Sequence, residues 1–323
     1  MDIKTFKIHT ANMADSIKKI LITGSSGTIG TRLAETLLAQ DYDVVGVDRE
    51  PNTWNDSLNK NTVILDLRDK QRVLSELPKD VDLVIHLAAN ARVYNLVIDP
   101  SLARDNFETV FNVLEFARQN SIKKFMFSSS REVYGNSEKI IHAEDDVHID
   151  YCESPYTASK IGGEALVQAY RQCYDMETII FRFSNVYGMY DKSDRVIPLF
   201  IKLCKEGRDL VVYGKEKLLD YTYIDDCVSG VIAALKEFPS INGQVYNIAY
   251  GKGTSIVDVA HLIQKQVQSK GDVRIEDNRT GEVVRYIADV SKAKQSFGYE
   301  PKVPIEEGIN KTVDWYLKHV YTT

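Results

Sequence analysis

The feature that most limits the fold of this chain is a glycine-rich turn that directly follows an apolar run. Residues 19–22 are mostly apolar, and three glycines follow at a spacing of three residues. Glycine lacks a Cβ, so a phosphate group can approach the backbone, and the N–H groups that open the following helix attract an anion. The pattern predicts a dinucleotide-binding turn, although a purely structural turn also contains glycines. The residues of this turn that are predicted to bind the cofactor are Gly24, Gly27, Thr28, Ile29 and Gly30.

A carboxylate at the end of the second apolar run indicates which dinucleotide is bound. Asp48 follows the run 44–47, at the distance from the glycines where an acidic residue accepts hydrogen bonds from the adenosine ribose. A carboxylate at this position repels a ribose 2′-phosphate. The sequence therefore predicts NAD as the cofactor, while the neighbouring Arg49 keeps NADP open because a guanidinium attracts that phosphate.

Composition and charge exclude several classes of protein. The 323 residues are 44% hydrophobic, enough for a large core, and mixed charges that sum to −6 do not form the clustered basic face that nucleic acids need. No run reaches the roughly 20 apolar residues of a membrane span, and no signal peptide is recognised at the start. We predict a cytoplasmic protein that binds neither nucleic acid nor membrane, with residues 1–17 as a loose N-terminal extension.

Cysteine spacing argues against a metal site. No two cysteines form a CxxC pair, and none shares the spacing of zinc ligands with histidines. We expect reduced, mostly buried thiols and no bound metal. The cysteines are Cys152, Cys173, Cys204 and Cys227.

Short apolar runs alternate with helical patterns over residues 18–184. This alternation is typical of an α/β protein with a doubly wound parallel sheet of the Rossmann type. Such a sheet binds ligands beyond the carboxyl ends of its strands. The predicted strands lie near 18–23, 44–48, 63–67, 82–89, 123–129 and 178–184, and the predicted helices near 28–39, 70–76, 101–119 and 157–174.

A tyrosine and a lysine four residues apart form the predicted catalytic pair. Tyr156 and Lys160 lie on one face of a predicted helix. The lysine ammonium favours the phenolate, so the phenol can act as a base near neutral pH. Ser130, at the end of the strand before this helix, supplies a hydroxyl that can hold the substrate oxygen. The alternative for the pair is a solvated helix face.

Together with further motifs, these residues resemble a known family over residues 18–318. The chain is similar to the extended short-chain dehydrogenases/reductases, in the NAD-dependent epimerase/dehydratase family of nucleotide-sugar enzymes. The matching segments are Thr23–Gly30, Asp66–Asp69, His86–Ala89, Asn106, Ser128–Gly135, Tyr156–Lys160 and Phe183–Gly188.

The resemblance implies roles for further residues. Asp66 and Leu67 would border the adenine, although Asp66 is alternatively a helix cap. The remaining cofactor contacts would be Leu87, Ala88, Ala89, Asn106, Ser128, Tyr156, Lys160 and Phe183, and the substrate contacts Arg92, Ser130, Asn185, Arg195, Val196, Tyr213 and Arg279. Family members pair through the helices near 101–119 and 157–174, so we expect a homodimer.

The alternation of short apolar runs with helical patterns ends after residue 188. This change predicts a smaller C-terminal α/β substrate domain. We assign 18–188 to an NAD-binding Rossmann-type domain, with 243–262 returning to it, and 189–242 and 263–323 to a nucleotide-sugar-binding domain. The predicted elements after residue 188 are a helix at 195–206, a turn-rich segment at 207–224, a strand at 244–248, a helix from Ser255 and a helix at 305–318.

The resemblance leaves the type of reaction open. In this family, C4 of the sugar gives a hydride to NAD⁺, and members differ in what happens to the 4-keto sugar. Glu132 matches a glutamate that dehydratases and decarboxylases use near C5, but Arg131 stands where dehydratases carry an acidic residue. An ion pair between Arg131 and Glu132 at the pocket rim is the alternative. Leu219 replaces the arginine that usually contacts a phosphate, and Lys215 or Lys217 could replace its charge.

We predict a UDP-sugar 4-epimerase in which Tyr156 is the base, Lys160 tunes it, Ser130 orients the oxygen and Glu132 lies beside the sugar. The alternatives are a UDP-glucuronate decarboxylase and a nucleotide-sugar 4,6-dehydratase. A non-catalytic NAD-binding protein is a more distant alternative, since a fold does not determine a function.

Overall fold

Strands and helices alternate through most of the chain in the computed structural model, which describes residues 17–321. The strands are β1 (Lys19–Thr23), β2 (Asp43–Asp48), β3 (Thr62–Ile64), β4 (Leu83–His86), β5 (Lys124–Ser130), β6 (Ile141–His142), β7 (Glu177–Phe183), β8 (Asn185–Tyr187), β9 (Leu210–Tyr213), β10 (Leu218–Tyr223), β11 (Gln244–Ile248), β12 (Gly253–Ser255), β13 (Val273–Glu276) and β14 (Arg285–Ala288). The helices are α1 (Thr28–Leu38), α2 (Lys70–Glu76), α3 (Val93–Ile98), α4 (Ser101–Gln119), α5 (Pro155–Tyr174), α6 (Val196–Lys205), α7 (Ile224–Lys236), α8 (Phe238–Ile241), α9 (Ile256–Val267), α10 (Ser291–Phe297) and α11 (Ile305–His319).

Seven parallel strands form the main sheet, in the order β3-β2-β1-β4-β5-β7-β11. The order reverses between β1 and β4, which confirms the predicted doubly wound sheet. Ile20, Leu21 and Ile22 of β1 have no exposed surface. Because neighbouring side chains of a strand point to opposite faces, this burial shows that both faces of the sheet are covered.

Helix α5 begins two residues before the predicted start because its first turn carries a strong capping signal. The Ser154 hydroxyl accepts a hydrogen bond of 3.2 Å from the Thr157 N–H, and Pro155 occupies the first helical position. Such a cap contributes about 1 kcal/mol, and proline at that position loses no helical hydrogen bond. The cap therefore fixes the start of the helix that carries Tyr156 and Lys160.

The segment 207–224 contains two strands, so the prediction of a turn-rich segment was wrong. Strand β9 pairs with β13, and β10 belongs to a second sheet in the order β12-β10-β14-β6, with β8 also paired to β10. Both strands are short and lie on either side of Gly214, which has a φ of +89°. Runs this short beside a glycine turn give little periodic signal. Four helices, α3, α7, α8 and α10, were also absent from the prediction.

The two elements within residues 243–262 pack against different parts of the protein. Strand β11 pairs in parallel with β7 at the edge of the main sheet. Helix α9 instead packs against α6 and α11. The division of the chain into two domains stays a prediction, and the predicted extension 1–17 lies, apart from Ile17, outside the described residues.

Two further predictions concern membrane-spanning helices and the state of the cysteines. None of the helices within residues 17–321 is long and apolar enough to cross a membrane. The cysteines are all unpaired, but only Cys204 and Cys227 are buried; Cys152 is half-buried and Cys173 is exposed.

Candidate active site

A cavity of about 650 Å³ lies at the carboxyl ends of β1, β2, β4, β5 and β7. It spans the point where the strand order reverses, which is where such sheets bind ligands. Every residue that the sequence predicts for the site lines this cavity, while the individual roles stay predictions. These residues are Gly24, Gly27, Thr28, Ile29, Gly30, Asp48, Asp66, Leu67, Leu87, Ala88, Ala89, Arg92, Asn106, Ser128, Ser130, Glu132, Tyr156, Lys160, Phe183, Asn185, Arg195, Val196, Tyr213 and Arg279.

The turn after β1 forms a cradle that fits the phosphates of NAD. Gly24 has a φ of +71°, and a Cβ there would lie 2.8 Å from the backbone of the loop after β4. A Cβ at Gly30 would collide with the Gly24 carbonyl oxygen. The first hydrogen bond of α1 runs from the Thr31 N–H to the Gly27 carbonyl at 2.9 Å. The N–H groups of residues 28–30 therefore have no partner within the helix and can bind an anion.

Asp48 is held at the end of β2, beside this turn. Its Oδ2 accepts a hydrogen bond of 3.0 Å from the Ser26 N–H, and its Oδ1 accepts one of 3.2 Å from the Glu50 N–H. The carboxylate thus occupies the position predicted to contact the adenosine ribose. The exposed Arg49 also lines the cavity.

Asp66 forms an ion pair instead of capping a helix. Its Oδ2 lies 2.6 Å from Nη2 of Arg68, whose Nη1 lies 2.9 Å from Oδ2 of Asp105. The hydrogen bond with Arg68 lowers the pKa of Asp66. Asp69 caps α2, because its side chain accepts the Arg72 N–H, so the alternative role considered for Asp66 was wrong.

Ser130, Tyr156 and Lys160 meet at the end of β5. Ser130 lies close enough to the Tyr156 phenol to affect its pKa, and the ammonium of Lys160 lies 5.8 Å from the centre of the Tyr156 ring. Burial raises the pKa of Tyr156. The interaction with Ser130 and the positive charge of Arg195 lower this pKa, but their effects are smaller than that of burial. The protein's own groups therefore leave the phenol with a raised pKa, and the expected effect of Lys160 on it stays a prediction.

Lys160 is buried and held by the backbone of the neighbouring strand. Its Nζ donates a hydrogen bond of 2.7 Å to the Ser128 carbonyl and lies 5.2 Å from the centre of the Phe127 ring. Burial lowers the pKa of Lys160 to about 8, against the opposing effect of the Glu164 charge. The hydrogen bond therefore holds the ammonium in place near the Tyr156 ring.

Asn106 connects the loop after β4 to the catalytic helix. Its Oδ1 accepts a hydrogen bond of 2.7 Å from the Asn90 N–H, and its Nδ2 donates to the Asn90 carbonyl at 3.1 Å and to the Ser159 hydroxyl at 3.2 Å. It is buried and is therefore more than a polar residue on a helix surface.

Arg131 and Glu132 form the predicted ion pair, but inside the protein and not at a rim. Nη2 of Arg131 lies 2.7 Å from Oε1 of Glu132, and the two side chains are 9% and 5% exposed. Burial raises the pKa of Glu132, and the charge of Glu282 acts in the same direction. Arg131, Lys217 and the N–H of Val283 act in the opposite direction.

Three arginines from distant parts of the chain converge in the cavity. Nη1 of Arg92 lies 2.6 Å from Oδ1 of Asp194, and the guanidinium of Arg279 stacks 3.9 Å from the centre of the Tyr213 ring. Burial lowers the pKa of Arg92, and the charges of Arg195 and Arg279 act in the same direction. Guanidinium groups bind anions, so the three arginines are a candidate anion-binding site.

Leu219 stands where similar proteins usually carry an arginine, and Lys217 lies two residues before it. Leu219 is buried and lines the cavity, as does Lys217. Lys217 directly precedes β10, on which Leu219 lies. Its Nζ forms an ion pair with Glu282. The sequence analysis missed Glu282 and Tyr94, because each is an isolated residue in a loop or short helix with no recognisable spacing to the motifs.

No group of three or more His, Cys, Asp or Glu side chains within residues 17–321 is arranged to hold a metal ion.

Comparisons with known proteins agree with this geometry. Residues 20–249 match the sequence model of a family described as the NAD dependent epimerase/dehydratase family. The chain is 32% identical to a protein of Methanocaldococcus jannaschii named putative UDP-glucose 4-epimerase, over 92% of this chain and 97% of that protein.

Solved structures of two enzyme types resemble this one. A UDP-glucose 4-epimerase of Thermotoga maritima, solved with UDP-glucose, has a TM-score of 0.84 and 29% identity over 93% of this chain and 99% of its own. A dTDP-glucose 4,6-dehydratase of Streptomyces venezuelae, solved with NAD bound, has a TM-score of 0.85 and 26% identity over 93% of this chain and 97% of its own.

Proposed function

Because the chain belongs to the NAD-dependent epimerase/dehydratase family, we propose that it is a nucleotide-sugar 4-epimerase that acts on a UDP-sugar. The observation that carries the proposal is the buried group of Ser130, Tyr156 and Lys160 in the same cavity as the dinucleotide turn. A hydroxyl, a phenol and an ammonium in this arrangement can remove the proton of an alcohol while its carbon loses a hydride.

The chain's own residues would move the proton and hold the sugar. Tyr156, as the phenolate, takes the proton of the 4-hydroxyl, while Ser130 donates a hydrogen bond to the same oxygen. NAD⁺, when bound in the glycine turn, would supply the hydride acceptor and a positive charge that favours the phenolate. The 4-keto sugar then presents its other face, receives the hydride back, and takes its proton from Tyr156. The sugar undergoes no net oxidation, because the hydride returns to C4 and the proton returns to the oxygen on C4.

The three converging arginines suit the diphosphate of the substrate. A diphosphate carries at least two negative charges, and guanidinium groups bind phosphate oxygens in pairs. We assign this contact to Arg92, Arg195 and Arg279, which compensate for the missing charge at Leu219. Tyr213, already stacked on Arg279, would face the nucleoside together with Val196.

Product masses test the reaction type. The protein is incubated separately with UDP-glucose, UDP-N-acetylglucosamine and UDP-glucuronate, and the nucleotide sugars are separated and weighed. We expect a product of unchanged mass and new retention time from at least one substrate. Loss of water in the product would indicate a dehydratase, and loss of CO₂ a decarboxylase, and either result would exclude the epimerase.

A dehydratase or decarboxylase is the second candidate, and Glu132 is the observation that favours it. Its side chain is buried and lines the cavity, and burial raises the pKa of its carboxyl group, as expected of a group that takes part in proton transfer. In that case, Glu132→Gln would stop the reaction after oxidation, and absorbance of NADH would accumulate. A 4-epimerase with this substitution retains substantial epimerisation without accumulating NADH.

A further inference from the structure

A carboxylate lies one helical turn beyond the predicted catalytic lysine. Glu164 follows Lys160 by four residues on α5, so the two side chains share one face of the helix. Oε1 of Glu164 accepts a hydrogen bond of 2.5 Å from the Ser129 hydroxyl. Nζ of Lys160 donates its hydrogen bond of 2.7 Å to the Ser128 carbonyl. The glutamate and the lysine are therefore bonded to consecutive residues at the end of β5.

Close packing brings this face of α5 onto the strand. A Cβ at Gly163 would lie 2.6 Å from the ring of Phe127, so a side chain there would push α5 away from β5. Phe127 and Ser129 are two residues apart on β5 and share the face that meets the helix. The missing side chain at Gly163 therefore lets Lys160 and Glu164 reach the strand.

Arg182 of β7 fixes the carboxylate of Glu164. Nη2 of Arg182 lies 2.7 Å from Oε2 of the glutamate, and its Nε lies 2.9 Å from Oε1, which is a bidentate ion pair. The side chains of Arg182 and Glu164 are 5% and 12% exposed. Nη1 of Arg182 donates hydrogen bonds to the Tyr134 hydroxyl at 3.1 Å and to the Glu144 carbonyl. The glutamate thus has a fixed orientation beside the lysine.

Glu164 places a negative charge near the buried ammonium of Lys160. Burial lowers the pKa of Lys160 to about 8, and the charge of Glu164 opposes this change. The phenol of Tyr156 on α5 and the imidazole of His86 on β4 also face the ammonium. Burial lowers the pKa of His86 to about 3, with a contribution from the charge of Lys160, so the imidazole is neutral near pH 7. An opposite charge nearby favours the charged form of a group, so Glu164 favours the ammonium.

The ion pair lies outside the cavity. Among the described residues, those that line the cavity include Tyr156 and Lys160 but neither Glu164 nor Arg182. An uncharged Lys160 would no longer favour the phenolate of Tyr156. A change in the charge of Glu164 therefore reaches the reacting groups through Lys160.

We propose that Glu164 is a positioning residue, which keeps Lys160 charged and in place beside Tyr156. Arg182 holds the carboxylate in the orientation that this role requires. The effect on turnover rests on the proposed function, because it takes Tyr156 as the base. The effect on Lys160 itself does not depend on any substrate.

The protonation of Lys160 can be measured without a substrate. The NAD-loaded protein is labelled with ¹³C at the lysine ε-carbons, and the Lys160 signal is identified by its absence in Lys160→Arg. An NMR titration then gives the pKa of Lys160. Glu164→Gln removes the charge but preserves the shape, and it should increase the acid dissociation constant of Lys160 at least about tenfold. An unchanged constant would overturn the inference.

Substitution of Arg182 separates this role from a structural one. Arg182→Gln breaks the same ion pair but leaves the carboxylate, so it should not lower the pKa of Lys160. An equal decrease in Arg182→Gln and Glu164→Gln would show that only the intact ion pair matters, and it would refute the inference. Glu164→Gln leaves the guanidinium buried without its partner, which is destabilising. If that variant does not retain NAD, the double variant with Gln at both positions is titrated in its place and should show the same decrease.

Glu115→Gln is the matched control. The side chain of Glu115 on α4 is 12% exposed, as that of Glu164 is, and it forms an ion pair with Arg118. The substitution removes the same charge from a different helix and should leave the pKa of Lys160 unchanged. A decrease like that in Glu164→Gln would contradict the inference. Bound NAD shows that each variant is folded.

The pH dependence of turnover tests the consequence for catalysis. With a UDP-sugar that the unaltered protein epimerises, Glu164→Gln should move the alkaline limb of kcat to lower pH, because Lys160 loses its proton earlier, and should leave KM unchanged. A loss of kcat by the same factor at every pH would indicate a structural role and overturn the inference. If no UDP-sugar is epimerised, the proposed function fails, and the titration of Lys160 decides the inference.

Discussion

The ammonium of Lys160 lies 5.8 Å from the centre of the Tyr156 ring, one helical turn further along α5. Both side chains are buried, so water screens their interaction only weakly. Burial raises the pKa of Tyr156 and lowers that of Lys160 to about 8. The site therefore contains a phenol that resists ionisation beside a lysine that loses its proton easily. Binding of the positively charged NAD⁺ ring would shift this balance towards the phenolate.

Tyr156→Phe should abolish turnover while NAD stays bound. The change removes the proton acceptor but leaves the glycine turn intact, and a general base of this kind is worth about 10²–10⁴-fold in rate. The rate and the NAD content of the purified variant are the two measurements. Tyr170→Phe is the matched control, because it removes another buried hydroxyl of α5, bonded to Glu115, away from the cavity. A Tyr156→Phe protein that retains most of its rate would show that another group is the base.

The protein should bind NAD in preference to NADP. Asp48 at the end of β2 repels a 2′-phosphate and accepts hydrogen bonds from a free ribose. The unaltered protein, when denatured, should release NAD⁺ or NADH. Asp48→Ser should weaken NAD binding. It should also reduce the ratio of NAD affinity to NADP affinity, because Arg49 remains. Chromatography of the released nucleotide and dissociation constants for both cofactors check this. Release of NADP(H) from the unaltered protein would show that Arg49 governs the ribose site.

We predict a homodimer that pairs through α4 and α5. Phe107 on α4 is 42% exposed and lies against Gly162 of α5, so it presents an apolar surface at the centre of this face. Light scattering at micromolar concentration should give about twice the single-chain mass of 36.6 kDa, and Phe107→Arg should reduce it to the single-chain mass. Ile149→Arg alters an even more exposed residue, at 72%, outside these helices and should leave the dimer intact. A monomeric unaltered protein would refute the prediction.

His86 should make the protein less stable in mild acid. Burial lowers the pKa of His86 to about 3, and its Nδ1 lies 2.9 Å from the Thr23 hydroxyl. The unfolded chain takes up a proton near pH 6.5 that the folded state does not bind, so stability falls as the pH decreases below 6.5. Between pH 7 and 5, His86 should account for about 2 kcal/mol of the loss in unfolding free energy. Urea unfolding of the protein and of His86→Gln measures this, and equal losses would contradict it.

Local spacing predicted the cofactor turn and the catalytic pair. The glycines of 24–30 act within one turn of chain, and Tyr156 and Lys160 need only a helix to share a face. The main sheet was predicted for a similar reason, because its buried parallel strands form continuous apolar runs. The start of α5 was placed too late because the cap at Ser154 was not weighed.

Contacts between distant segments could not be predicted. The sequence left open whether Arg131 and Glu132 form an ion pair, and it gave no sign that Glu282, some 150 residues later, would lie near them. The burial that raises the pKa of Tyr156 was not predicted, because it depends on packing that spacing does not reveal. The strands in 207–224 were missed because pairing with β13, β14 and β8 stabilises them more than their own sequence does.

The central claim is that the hydride leaves C4 and returns to C4, and a labelled substrate tests it most directly. UDP-glucose carrying deuterium at C4 is incubated with the protein in ordinary water, and the product is examined by mass spectrometry and NMR. We predict a product that keeps the full mass of the substrate, carries the deuterium at C4, and has the opposite configuration there. Deuterium at another carbon, its loss to water, or a product lighter by one water would contradict the account.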